Sequence, residues 1–153
     1  MTFEELKRKI AHQDCVCMLN KTSIYREFAE QNGCFKMGES VPLGDKKARI
    51  RIADISAEER NGDLEIYYSG PIIRMDGKPS KGDRYGAVLE AYQHRFFAYV
   101  KTSKLNRGSA QYTVFDCIVR GSHAERQYCV TAPAALFAAR MALDNFIQDW
   151  RNI

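Results

Sequence analysis

Tyr85–Lys101 reads YGAVLEAYQHRFFAYVK, and its alternation sets the architecture to expect. Tyr85, Ala87, Leu89 and Ala91 alternate with Gly86, Val88, Glu90 and Tyr92, and after a polar break Phe97 and Tyr99 alternate with Phe96, Ala98 and Val100. A period of two with aromatic and branched residues is the signature of strand. The break Gln93-His94-Arg95 predicts a hairpin turn, with one bent strand as the alternative.

Working toward the N-terminus, Asp76–Arg84 (DGKPSKGDR) reads as a polar loop. Strands are expected at Leu64–Tyr68 and Ile72–Met75, interrupted at Ser69-Gly70-Pro71 because proline cannot donate to a ladder. A turn at Glu58–Gly62 and a strand at Ala48–Ile55 precede them. Residues 34–46 hold Gly38, Pro42 and Gly44 and read as loop. Thr22 or Ser23 can cap a helix through Ile24, Tyr25, Phe28 and Ala29 that stops at Asn32-Gly33. Thr2-Phe3-Glu4-Glu5 has the form of a capping box ahead of the stripe Phe3, Leu6, Ile10. Cys15–Leu19 is too short an apolar run for periodicity to assign.

Toward the C-terminus, Asn106–Ser109 marks a turn. Tyr112–Val119 places Thr113, Phe115, Cys117 and Val119 on one face of a strand, and Gln127–Val130 supplies a last one. Thr131 or Ala132 then caps a final helix with Pro133 in its first turn. Along that helix Leu136, Leu143 and Trp150, with Ala139, Phe146, Ile147 and Ile153, build a wide apolar stripe that must be covered by the sheet or by a second copy of the chain. Helices outside a run of strands joined in sequence give an α+β domain. The expectation is a single domain over residues 1–153, with two short helices, an antiparallel meander of about six strands, and a long amphipathic helix packed on the sheet.

A length of 153 residues suits one domain with a core of its own, and 45% hydrophobic with 27% charged residues is ordinary for a globular chain. No apolar run reaches the ~18 residues of a membrane span, and the charged start MTFEELKRKIAHQ has no apolar signal core. Five cysteines, an odd number, fit a reducing compartment. A cytoplasmic location without membrane contact follows as the expectation. The net charge is +4, but residues 70–126 hold ten Lys or Arg against five Asp or Glu, a net of +5, and the remainder nets −1. Positive charge gathered in the central sheet and its loops points to an anionic partner, against the bland alternative of solvated turns.

Chemistry is sparse. His12, Cys15, Cys17 and Cys34 offer one imidazole and three thiols, but the spacing H-x2-C-x-C-x16-C follows no standard zinc pattern, and no metal or cofactor is expected. Cys117 or Cys129 with His94 or His123 would make a nucleophilic pair, yet both cysteines sit in alternating strands where inert burial is the usual role. Asp83, Glu90, Lys101 and Lys104 are the parts of a metal-assisted hydrolase or nuclease without its tight acid-x-lysine unit. Gly77 and Gly82 lack the spacing of a phosphate loop. The remaining candidate is a nucleic-acid face. Arg74, Lys78, Lys81, Arg84, Lys101, Lys104 and Arg107 would track phosphates while Phe97 and Tyr99 stack on bases. The expected function is a non-enzymatic module that binds nucleic acid or an acidic protein surface, with homodimerisation through the last helix in view. The alternatives are the hydrolase and a small-ligand or protein-partner module using the helix–sheet groove.

Overall fold

The capping box forms: the Glu5 amide donates to Thr2 Oγ1 at 3.1 Å and the Thr2 amide to Glu5 Oε2 at 3.2 Å. It opens helix α1 (Phe3–Ala11), whose Leu6 is buried. The computed structural model describes residues 2–11, 24, 26–31, 35–60, 63–74, 84–91, 93–102, 112–121 and 124–151. Residues 26–31 are helical (α2). Eight strands follow: β1 (Ser40–Leu43), β2 (Asp45–Arg51), β3 (Asp54–Arg60), β4 (Asp63–Ile73), β5 (Arg84–Ala91), β6 (His94–Thr102), β7 (Thr113–Arg120) and β8 (Glu125–Ala132). Helix α3 (Ala135–Arg151) closes the chain. The sheet order is β1-β2-β4-β5-β6-β7-β8, with β3 also paired to β4 and every pairing antiparallel. The α+β meander with a terminal helix is thus as expected, with more strands than six.

The extra strands come from places where punctuation residues misled. Pro42 lies inside β1, an edge strand where a missing N–H does least harm to the ladder. The segment expected as one strand over Ala48–Ile55 is two, because Ile52 and Ala53 step between β2 and β3. Glu58–Arg60 do not turn but pair with Asp63–Glu65. The expected interruption at Ser69-Gly70-Pro71 is a change of partner instead. β4 runs through it, pairing with β3 up to Ser69 and with β2 at Ile72 and Ile73. The hairpin between β5 and β6 is real, with Gln93 at φ 63° in its turn.

Gly70 and Gly86 face each other across β4 and β5 and share the face that also carries Tyr68, Ile72 and Val88. A Cβ on Gly70 would lie 1.8 Å from the Arg51 carbonyl oxygen, and one on Gly86 would lie 2.6 Å from Ile50 Cγ2 and 2.8 Å from Leu43 Cδ2. The two glycines make a dent into which the β1–β2 hairpin folds back over the sheet. Any side chain at either position would push the hairpin away.

Both faces of the sheet are therefore covered. On one, α3 packs Ala138, Ala139, Ala142, Leu143, Phe146 and Ile147 against Tyr67, Leu89, Phe96, Ala98, Phe115 and Val119. The three alanines let the helix sit close to the sheet. On the other, Leu6, Ala29, Leu43, Ile50, Ile52 and Ile55 surround Tyr68, Ile72 and Val88. No helix among the described residues is long and apolar enough to cross a membrane.

Candidate functional site

Strand parity and register place three rows of side chains on the face of β5–β8 away from α3. Arg84, Lys101, Asp116 and Cys129 form the first row, Gly86, Tyr99, Ile118 and Gln127 the second, and Val88, Phe97, Arg120 and Glu125 the third. First and third rows are four residues apart along each strand, about 13 Å. The β1–β2 hairpin covers the β5–β6 side of the second and third rows. Its Gly44 lies against the Phe97 ring and the Tyr99 hydroxyl, and that hydroxyl donates to the Leu43 carbonyl. Where the hairpin ends, a cleft of about 360 Å³ opens. Ala48 and Ile72 form one wall, Tyr99 and Ile118 the apolar floor, and Arg84, Lys101, Asp116, Arg120 and Gln127 the polar lining.

The sequence-derived candidates divide accordingly. Arg84, Tyr99 and Lys101 line the cleft. Arg84 and Lys101 are cross-strand partners and both exposed. Phe97 is half-buried beneath the hairpin, packed on the second core rather than along the cleft. Arg74 is exposed just beyond the end of β4, at the same end of the sheet as Arg84. Lys78, Lys81, Lys104 and Arg107 lie outside the described residues. The chain that carries them leaves and re-enters the sheet beside Arg84 and Lys101, between Arg74 and Arg84 and between Thr102 and Tyr112.

Asp116, Ile118, Arg120 and Gln127 are cleft residues that the sequence candidates omitted. The signal was present for three of them. Once Phe115, Cys117 and Val119 are taken as inward, Asp116, Ile118 and Arg120 must face the other way. What parity cannot show is that this outward face meets Lys101 and not open solvent alone. The Arg120 guanidinium lies over the Tyr99 ring at 5.0 Å and pairs with Glu125 at 3.3 Å, so it stacks on the cleft floor.

Among the described residues, the parts of the other chemistries do not converge. Glu90 pairs with Arg95 at 3.0 Å, not with a second acid, and it lies six residues along β5 from Arg84, about 20 Å from the Lys101 row. Cys117 is buried, its thiol directed at the Ala138 carbonyl at 3.8 Å. Burial, with Asp116 and Cys129 adding, pushes that thiol up to about 12, the reverse of what a nucleophile needs. His94 packs edge-on to Trp150 at 5.4 Å, at the opposite end of β6 from the residue paired with Cys117. His12, Cys15, Cys17, Cys34, Asp83 and His123 lie outside the described residues.

A second polar constellation sits between β3, β4 and α3. Glu65, its side chain wholly buried, accepts from Arg140 Nη2 at 2.8 Å and lies 3.6 Å from Arg60 Nε. Its other oxygen, Oε1, has no hydrogen-bond partner among the described residues. Glu58 stands directly opposite on β3, and Asp144 joins both arginines, at 3.1 Å to Arg60 and 3.4 Å to Arg140. Burial works against the charge on Arg60, but Asp144, Glu65 and Glu58 outweigh it and its pKa rises. The Arg140 guanidinium also lies over the Tyr67 ring, and the Tyr67 hydroxyl donates to the Leu136 carbonyl at 3.0 Å. Burial foremost, then the neighbouring Tyr85, holds the Tyr67 hydroxyl protonated well beyond its ordinary range. These ties run from the sheet edge to the helix, so the constellation reads as a clamp. Compared with family models, curated proteins and solved structures, the chain matches none.

Proposed function

We propose that the protein is a cytosolic, non-enzymatic binding module whose partner is a polyanion, nucleic acid before any other. The observation that carries this is the pair Arg84 and Lys101. They sit side by side on adjacent strands at the mouth of the cleft, exposed, and neither makes an ion pair among the described residues. Like charges held side by side repel each other, and an anion bound between them relieves that cost. Arg120, itself paired with Glu125, lies along the floor, and the segments that leave the sheet beside the pair carry four cations, Lys78, Lys81, Lys104 and Arg107, against two acids, Asp76 and Asp83. Phosphates tracking such a line release counterions, so binding should weaken steeply with salt.

The test is a salt titration of binding to DNA and RNA by fluorescence anisotropy. Replacing Arg84 and Lys101 together with alanine should weaken binding to all sequences alike and flatten the log–log salt slope by about two. Absence of binding to any nucleic acid at low salt, with binding to polyglutamate in its place, would transfer the cleft to an acidic protein partner.

A further inference from the structure

We infer that the cleft takes a single strand and reads an unpaired base that bears an exocyclic amino group, an inference that rests on the polyanion reading above. Three features of the cleft lead there. The first is its shape. The β1–β2 hairpin walls one side with Ala48, and a cleft of about 360 Å³ suits one flexible chain better than the rigid, two-stranded cylinder of a duplex.

The second is the floor. Tyr99 and Ile118 are only half-buried, and the Arg120 guanidinium is stacked on the Tyr99 ring. A ring, a guanidinium plane and an aliphatic side chain together form the kind of platform on which splayed bases stack. A paired base inside a duplex exposes only its edges, so such a platform is wasted on it.

The third is Asp116. Among the described residues it is the one acid lining the cleft, beside three cations; it stands directly opposite Lys101 in the ladder and is half-buried. For phosphate alone it is a liability. Its carboxylate only accepts hydrogen bonds, and unpaired bases offer it two kinds of donor, the two-proton amino groups of cytosine, adenine and guanine and the single imino N–H of uracil, thymine and guanine. Gln127, one row along, can both donate to and accept from the same base edge. Phosphates then lie on Arg84 and Lys101, and the base lies on the Arg120–Tyr99 stack with its amino group at Asp116. Uracil and thymine hold a carbonyl oxygen where cytosine holds its amino group, so they offer Asp116 only an imino N–H flanked by two oxygens that the carboxylate repels.

The experiment compares wild-type binding to labelled oligo-C, oligo-U and a mixed-sequence duplex of equal length at one salt concentration, then repeats it with Asp116→Ala. Oligo-C should bind about tenfold more tightly than the duplex and about fivefold more tightly than oligo-U. Asp116→Ala should tighten binding to oligo-U, because an acid is gone from a basic cleft, while erasing the preference for oligo-C. A merely structural role for Asp116 would weaken both together. Equal or better binding to duplex, or no discrimination between C and U by the wild type, overturns this inference and leaves the polyanion reading standing. Failure to bind any of the three at low salt overturns both. The wild-type comparisons decide the matter even if the variant does not fold.

Discussion

Arg140→Ala should be among the most damaging single substitutions in this chain, although it removes a side chain that is 20% exposed and replaces it with a better helix former. The reason is Glu65. Its carboxylate is wholly buried, and Arg140 supplies its 2.8 Å hydrogen bond. With Arg140 gone, Glu65 keeps Arg60 at 3.6 Å and faces Glu58 across the ladder, while Oε1 still has no hydrogen-bond partner among the described residues. Breaking a buried pair by removing one partner costs about 3–5 kcal/mol, and Arg60, more exposed and beyond hydrogen-bond distance, offsets only part of the charge left on Glu65. Removing both at once is different. Glu65→Leu with Arg140→Leu replaces the pair by apolar volume and should come within about 1 kcal/mol of wild type. The exposed pair Arg126–Asp149, at 3.4 Å with both side chains more than 40% exposed, is the control, and Arg126→Ala should cost less than about 1 kcal/mol. Urea denaturation followed by the fluorescence of Trp150, the one tryptophan, measures all of these. At a slope of about 2 kcal/mol per molar urea, Arg140→Ala lowers the midpoint by about 1.5–2.5 M. Equal midpoints for Arg140→Ala and Arg126→Ala would refute the reasoning, since Glu65 could not then be a buried anion that depends on its partner.

Alkaline stability follows from the buried hydroxyls and the thiol. Burial raises Tyr67 and Tyr85, burial and Asp149 raise Tyr128 to about 12, and burial raises Cys117 to about 12. The unfolded chain therefore gives up protons that the folded chain keeps, so stability should be level below about pH 9 and fall as pH climbs toward 12, measurable as a declining urea midpoint. A flat profile across that window would contradict the burial of these groups. Trp150→Ala removes ring contacts to Phe96 at 5.5 Å and to His94, and should cost about 3 kcal/mol by far-ultraviolet circular dichroism in urea. Phe137 and Met141, one turn apart on the outer side of α3, are 51% and 43% exposed and form a face suited to a second copy of the chain. The unfolding midpoint should rise with protein concentration and Phe137→Lys should abolish that rise, whereas a monomer at all concentrations in sedimentation equilibrium would refute it.

Much of this was legible in the residues themselves. The capping box Thr2/Glu5, the hairpin at Gln93, the inward set Phe115, Cys117 and Val119 and the stripe of α3 all rest on periods of two or 3.6, or on spacings of a few positions, which the backbone imposes locally. The tertiary structure alone decided which surfaces are covered. Phe97 and Tyr99 have the same parity and nearly the same chemistry and both pack against the β1–β2 hairpin, yet Tyr99 also lines the cleft and Phe97 does not. That difference traces to Gly70 and Gly86, sixteen positions apart in the chain but opposite each other in the ladder, whose missing side chains let the hairpin fold over. Glu65 and Arg140 likewise meet across 75 positions, and neither residue's surroundings in sequence mark it as half of a buried pair. Alternation tells a side chain which way to point, because strand geometry is local. What it then touches depends on how distant segments pack, and that is set by the burial free energy of the whole chain.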